Sequence, residues 1–337
     1  MSYEGPQGRR TVGVAMCTFN GAEWIERQLR SIMDQTRRPD VIVISDGGST
    51  DGTVELLQKL VQEANGASLE SPTVSLLVTP PGDRLDVRAN FERALQNTST
   101  DVVFLSDQDD QWLPHKIDVE MTAMTEEVLA VGTDALVVRT ANNGKQRSLF
   151  ETLKADKTEL SLLSNRDAVK AILRRNIIAG MTMAVSRKLI DLALPIPECW
   201  RHDAWLATLA ASLRGLRVID DRLVRYTIHD RNAVGVEPRT LRFYARRLVR
   251  SSPTGVLHMR RYSELVDRLR GHERLDRDAE ALIFGKVQFE RARANYPRNR
   301  AQRGPSVMRQ VVAGRYSRFS SEGLANAARD LLTMREA

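Results

Sequence analysis

Cysteine is nearly absent from this chain: Cys17 and Cys199 are the only two in 337 residues, with no Cys-x-x-Cys spacing. A disulfide scaffold, a thiolate zinc site and a thioredoxin-type redox motif are thereby excluded. The opening MSYEGPQGRR lacks the apolar stretch of a secretory signal, so a reducing cytoplasm is the expected compartment. Long hydrophobic runs are missing as well. The longest, such as Ile177 to Val185 with Gly180 and Thr182 inside it, fall far short of the roughly 20 residues that span a bilayer. Neither G-x-G-x-x-G nor G-x-x-x-x-G-K-[ST] occurs where it would bind a dinucleotide or a nucleoside triphosphate. What remains is ordinary for a globular chain, 42% hydrophobic and 28% charged, and long enough for one large core or two domains.

The first half alternates short apolar runs with helical patterns. Val12 to Met16, Val41 to Ile44, Val74 to Val78 and Val102 to Leu105 are rich in Val, Ile and Leu without strict alternation, as in strands buried on both faces of a parallel sheet. Between the first two, Trp24, Ile25, Leu29, Ile32 and Met33 share one helical face, and Pro39 closes the connection. After the second, Ser49, Thr50 and Asp51 offer N-caps to a helix carrying Val54, Leu57, Leu60 and Val61. Strand-helix-strand-helix order predicts an α/β sheet with right-handed crossovers. Ligands of such sheets bind beyond the carboxyl ends of the strands. Here those ends are polar: Cys17-Thr18-Phe19-Asn20, Ser45-Asp46-Gly47-Gly48 and Ser106-Asp107-Gln108-Asp109.

The third end concentrates charge, with Asp107, Asp109 and Asp110 placed directly after Val102 to Leu105. Neighbouring carboxylates repel, so a cation must join them or a proton must be taken up. Oxygen ligands at this spacing suit Mg²⁺ or Mn²⁺, which keeps open positions for water and substrate phosphates. The other reading is a solvated acidic turn, with Asp109 or Asp110 capping a helix and Pro114 in its first turn. At the second end, Asp46 could accept the imide N–H of a uracil or thymine while the backbone of Cys17 or Thr18 pairs the other edge of the ring. Equally, Asp46 could build a turn and Ser49 cap the helix after it.

In order along the chain stand CTFNGAEWIERQLRSIMDQT, VIVISDGGSTDGT, NFERAL, FLSDQDDQWLPHKI, NIIAGMTMAVSRKLIDLALPIPE, HDAWLA and YTIHDRNAVG. This series resembles the family-2 inverting glycosyltransferases of GT-A fold, and within them the bacterial rhamnosyltransferase-type enzymes of surface polysaccharide assembly. The likeness covers about residues 10 to 236, and a looser one continues through GRYSRF and ARDLL. One departure stands out: the usual paired acid after the second strand is here Asp46-Gly47, which leaves base selectivity open. The resemblance implies a GT-A domain at 10–236 and a basic, mostly helical extension at 237–337. It puts the metal-binding Asp-x-Asp on Asp107 and Asp109, with Asp110 beside them, and the nucleotide near Cys17, Thr18, Asn20, Asp46 and Asp107. The general base falls on Asp203 of HDAWLA, where a carboxylate at a helix start could also serve the helix dipole. His229 resembles a histidine that reaches the metal or the diphosphate. Asn176 and Gly180 resemble the segment between donor and acceptor, with a backbone role for Gly180 inside an apolar strand, and His202 is a further substrate-site candidate. Trp200, in a loop-like stretch beside Pro197, is expected to face ligand, whereas Trp112 and Trp205 read as core.

The implied reaction moves a sugar, L-rhamnose from dTDP-rhamnose in the nearest analogy, from a nucleotide-diphosphate donor to a hydroxyl of a surface or lipid-linked glycan. UDP-hexose and UDP-galactofuranose are the alternative donors. A binding protein without turnover would not need Asp107, Asp109 and Asp203 together. Charge is unevenly placed: residues 241–337 hold 21 Lys+Arg against 10 Asp+Glu, and residues 1–240 hold 29 against 33. Arginines interleave with apolar residues there, as in Leu241, Phe243, Tyr244, Leu248 and Val249 among Arg242, Arg246, Arg247 and Arg250. Such a segment could lie on an anionic membrane, making the protein peripheral at the inner face, or form a solvated helical face. A nucleic-acid partner is not expected, since no nucleic-acid motif accompanies the charge.

Overall fold

The structure is a computed structural model, described here for residues 9–67, 72–80, 82–139, 147–229 and 254–333. The proposed domain boundary at 236/237 and the Leu241–Arg250 segment lie outside the described residues. Four of the apolar runs form strands one or two residues longer than the sequence suggests: β1 (Val12–Thr18), β2 (Val41–Asp46), β3 (Thr73–Val78) and β4 (Val102–Ser106). Helices α1 (Ile25–Met33), α2 (Thr53–Ala67) and α3 (Val87–Gln96) connect them. Then come β5 (Gln111–Trp112), α4 (Lys116–Ala123), β6 (Ala130–Arg139), β7 (Arg147–Ser148), α5 (Leu149–Thr152), α6 (Lys157–Leu163) and α7 (Ala168–Arg174). A short 3₁₀ turn, Gly180–Thr182, precedes β8 (Met183–Ser186), α8 (Arg187–Ala193), α9 (His202–Ser212) and β9 (Leu216–Ile228).

These strands make one nine-stranded sheet in the order β3-β2-β1-β4-β8-β6-β9-β5, with β7 on β6. β3, β2, β1 and β4 run parallel, and β6 and β9 do so too, while β8 is antiparallel to both of its neighbours. All seven residues of β1 and all five of β4 are buried, which explains their lack of alternation. Each such Val, Ile or Leu contributes about 1.5–3 kcal/mol through burial. On one face lie Ile25 and Leu29 of α1, Leu57 of α2, and Ile117 and Met121 of α4. On the other lie Phe91 and Leu95 of α3 and Trp205 and Leu209 of α9. Thr18 is level with Asp46, and Met16 with Ser106, so the β1, β2 and β4 ends open on one edge. β5 pairs antiparallel with β9, Gln111 opposite Arg225, which brings the end of β9 back to the acidic loop.

Some expectations are corrected. Trp24 is the N-cap residue of α1, not part of its first turn. Gly180 sits in the 3₁₀ turn before β8, because its stretch must bend past α9 before it can pair. The capping alternative for the acidic loop is not adopted: β5 intervenes, and the N-cap of α4 is His115, with Pro114 ahead of it.

The C-terminal helices are α10 (Thr254–Leu269), α11 (Arg277–Ala294), α12 (Arg300–Val312), α13 (Arg315–Phe319) and α14 (Leu324–Leu332). Their apolar residues Leu265, Leu269, Ile283 and Phe289 belong to the same buried cluster as Trp205 and Leu209. Several arginines of the basic excess work as clamps on carbonyl groups. Arg268 reaches the carbonyls of Leu192, Leu194 and Pro195 at 2.6, 3.1 and 2.9 Å. Fully buried Arg303 donates to the carbonyls of Pro297, Arg298, Asp330 and Thr333. A guanidinium can be buried in this way because its five donors are all directed and can be satisfied by main chain.

Candidate active site

Hydrogen bonds tie the three loops at the strand ends into one frame. The Gln108 side chain accepts from the Phe19 amide at 2.8 Å and donates to its carbonyl at 3.0 Å, joining the acidic loop to the β1 loop. A Cβ at Gly21 would lie 2.2 Å from the Gln108 side-chain oxygen, so only glycine allows this approach. Asn20 takes φ 49°, its amide donating to Ser49 Oγ and its side-chain oxygen accepting from the Thr50 amide. Within NFERAL, Asn90 donates to the Thr18 carbonyl, and Arg93 clamps the carbonyls of Asp46 and Leu77.

Fully buried Asp46 accepts the amides of Gly48 and Ser49 at 3.0 and 2.8 Å, and the hydroxyls of Thr18 and Ser49 at 2.7 and 2.6 Å. A carboxylate offers about four lone-pair positions. These four bonds make Asp46 the centre of the turn that joins β1, β2 and the loop after it. The Thr18 carbonyl accepts from Gly47 and Asn90. The Cys17 backbone lies in the ladder opposite Ser45, and burial together with Asp107 raises its thiol pKa. Beside these groups the ring of Phe19 lies half-buried, with Arg84 stacked over it at 4.3 Å.

Beyond β4 the acids converge. Asp107 is raised to about 7, first by desolvation and then by Asp109 and Asp203, with Arg201 opposing. Buried Asp109 shares a hydrogen bond with His229 Nε2 at 2.9 Å. Trp24 stacks flat on that imidazole, ring centroids 4.1 Å apart, and Arg27 donates to the Asp109 carbonyl. Asp110 is fully buried, neither carboxylate oxygen has a well-formed hydrogen bond, and burial followed by Asp109 and Asp107 raises it well above the usual carboxylate range. Lys116, itself buried and paired with Glu120, places one cation behind it.

Facing this cluster is the first turn of α9. Asp203 is 3% exposed, pairs with Arg201 at 2.7 Å and accepts from the Ala204 amide. Next to it, His202 stacks on Phe91 at 3.8 Å and is depressed to about 4 by burial. Gly180 backs both residues: a Cβ there would be 2.6 Å from His202 Nε2 and 3.6 Å from Asp203 Cβ. The structure thus brings together Asp107, Asp109, Asp110, His229, Asp203, His202 and Gly180. It separates two others. Asn176 folds its amide back onto both backbone groups of Ile178, bracing its own loop. Trp200, expected to face ligand, is 6% exposed, packs on Trp205 and Tyr262 and donates to the Arg261 carbonyl. Helix α10 covers the loop that sequence leaves open, which is why this assignment fails. Sequence reading also missed Trp24, Arg27, Gln108 and Arg201 as site residues. Their only signal is position inside the motifs.

Among the described residues, no three His, Cys, Asp or Glu side chains are close enough to enclose a metal ion by themselves. The donor chemistry nonetheless fits a hard divalent cation: a buried carboxylate without a well-formed hydrogen bond, Asp107 raised by the neighbouring Asp109, and one imidazole. Ligands from water and diphosphate would complete such a site.

A layered α/β sheet with an acidic loop at its strand ends, faced by a helix-borne carboxylate, is the architecture of a nucleotide-sugar transferase of GT-A fold. Residues 13–184 match the model of glycosyl transferase family 2, and the chain belongs to that family. It is 32% identical over 105 residues to the dTDP-rhamnosyl transferase RfbG of Shigella flexneri, covering 30% of this chain and 34% of that protein. It is 24% identical over 229 residues to an uncharacterized glycosyltransferase of Nostoc, covering 66% of each. The chain thus spans about a third of the first relative and just under two thirds of the second. Among solved structures, S. aureus TarS 1–349 in complex with UDP-GlcNAc superposes with TM-score 0.55 at 16% identity, over 95% of this chain and 88% of that one. At that identity the likeness is one of fold.

Proposed function

We propose that this glycosyltransferase moves a deoxyhexose, L-rhamnose from dTDP-rhamnose, onto a hydroxyl of a surface polysaccharide or its lipid-linked precursor, with inversion at the anomeric carbon. The observation that carries the transfer reading is Asp203, in the first turn of α9, close enough to Asp107 beyond β4 to raise its pKa. The relative named as a dTDP-rhamnosyl transferase supports the choice of donor.

In this reading Asp107 and Asp109, with His229 beside them, would hold a Mg²⁺ or Mn²⁺ ion at the donor diphosphate, and Asp110, raised by its burial, lies behind them. When bound, the ion would neutralise the leaving diphosphate, so no protein acid is required there. Trp24 and Arg27 keep His229 and the Asp109 backbone in place. Asp203 accepts the proton of the acceptor hydroxyl as it attacks from the face opposite the diphosphate. Arg201, 53% exposed at its side chain, is the group that an incoming acceptor would displace from Asp203. Gly180 and Phe91 fix the turn of α9 that aims the base.

The test is a donor panel of dTDP-, UDP- and GDP-sugars with nucleotide release as readout, run with and without chelator. Release from dTDP-rhamnose, lost in EDTA and restored by Mg²⁺ or Mn²⁺, is expected. Turnover confined to a UDP-hexose would replace the donor assignment, and full activity in chelator would remove the ion from the scheme.

A further inference from the structure

Ten large apolar side chains are exposed among the described residues, and eight of them lie in residues 254–333. Val256, Leu257 and Val266 lie on α10 and Phe284 on α11, and the other four lie on α12 and α14, which pack together. On α12, Ala301, Pro305, Met308 and Val312 recur at i, i+4, i+7 and i+11 and are all exposed, Met308 at 56% and Val312 at 81%. Helical periodicity puts them on one outward stripe, while Arg303, Val307 and Gln310 point inward and are buried. On α14, which packs beside α12, Leu324, Ala325, Ala328 and Leu332 are likewise exposed, and Asn326 and Ala327 are buried. Two adjacent helices therefore turn an apolar stripe to solvent.

The charge around them is mostly positive, Glu322 before α14 and Asp330 within it being half-buried, the latter paired with Arg293. Residues 291–321 contain eight arginines and no Asp or Glu. Arg293 and Arg303 are used inside the fold, whereas Arg291, Arg298, Arg300, Arg309, Arg315 and Arg318 are exposed or half-buried. A second copy docking through the same face would set arginine against arginine across a two-fold axis. A nucleic acid would match the charge but leave the apolar stripes uncovered. An anionic leaflet accepts both, taking apolar side chains to the acyl boundary and guanidinium groups at the phosphates.

We propose that the α12–α14 face is a docking surface for an anionic phospholipid leaflet. This extends the reading of the protein as a transferase acting on a surface-glycan precursor, by giving the surface at which a lipid-carried acceptor is met. Its test does not depend on turnover.

The full chain is sedimented with phosphatidylcholine vesicles and with vesicles containing about one third phosphatidylglycerol, at low salt and at about 0.5 M salt, where surface charge is screened. Binding to the anionic vesicles alone is expected, weakened at least about tenfold by salt. Met308→Gln combined with Val312→Gln, and separately Arg309→Gln with Arg318→Gln, should each weaken it by about tenfold, with thermal unfolding unchanged because all four side chains are outward. No binding at low salt, or both variants binding as the parent does, would overturn the proposal. A parent dimer that Met308→Gln with Val312→Gln converts to monomer, without change in vesicle binding, would give the face to a second copy. Absence of nucleotide release from every donor would sink the transfer reading and leave this result standing.

Discussion

Asp203 separates a catalytic role from a structural one at the level of a single atom. Replacing it by Asn keeps the hydrogen bond from the Ala204 amide and the shape of the first turn of α9, but removes the proton acceptor. Nucleotide release coupled to transfer should fall by about 10²–10⁴, with donor affinity, measured by calorimetry, near that of the parent. Matching losses of Tm and turnover would mean that the carboxylate serves the helix instead. His202 makes a different prediction. Burial holds its pKa at about 4 against 6.5 when exposed, Asp203 opposing the shift and Arg201 adding to it. Above pH 6.5 neither folded nor unfolded chain carries the proton, so the group contributes nothing to pH dependence. As pH falls from 6.5 to 4 the unfolded chain takes up a proton that the folded one refuses, and stability drops by on the order of 3 kcal/mol. Denaturant titrations of the parent and of His202→Gln across that range should diverge by this amount. Parallel curves would refute it.

The turn Gly180–Thr182 is where one element decides the geometry of another. It passes so close to α9 that an added methyl group meets His202 Nε2 at 2.6 Å, and His202 cannot retreat because Phe91 stacks behind it. Gly180→Ala should therefore cost about 1–3 kcal/mol by overpacking. It should also lower kcat more than it raises the KM for donor, since Asp203 moves with the turn. Unchanged kcat with lowered Tm would show that the turn supports the helix without aiming the base. By contrast, the frame made by Gln108 and Phe19 joins two loops through main-chain groups, which sets their separation whatever the neighbouring side chains are.

At the scale of the whole molecule, the C-terminal helices and the α/β sheet share one core. Leu265 and Leu269 of α10 are buried with Trp205 and Leu209 of α9, and Arg268 is clamped to three carbonyls after α8. Leu269→Ala should cost about 2–5 kcal/mol as a cavity in that core. Because Trp200 and Trp205 lie at the junction, their fluorescence and the far-UV circular dichroism should report one coincident transition. Two transitions, with only the C-terminal one moved by the substitution, would show that the extension folds apart from the sheet. Among the described residues no helix is long and apolar enough to cross a membrane.

The strands β1 to β4 and the acids at their ends were legible in the chain itself. A strand buried on both faces must be apolar along its whole length, and the carboxylates of Asp107, Asp109 and Asp110 follow one such strand without a break. Local order of residues decides such features, because the interactions that make them span only a few positions. The role of Asp46 was undecided at that level, since a carboxylate before two glycines suits a base or a turn. The tertiary placement of Thr18 opposite it adds a hydroxyl donor that joins β1 to the turn. His229 reaches Asp109 across 120 positions through the β5–β9 pairing, and Asp203 faces Asp107 because α9 packs against α3. Trp200 shows the same limit from the other side: its neighbours in sequence suggest a loop open to ligand, and α10, some 60 residues later, closes it. Distant pairings of this kind depend on how layers stack and which helix covers which edge. Those are decided by the summed packing of the whole chain, so the short-range pattern determined the parts and the folded core determined which of them meet.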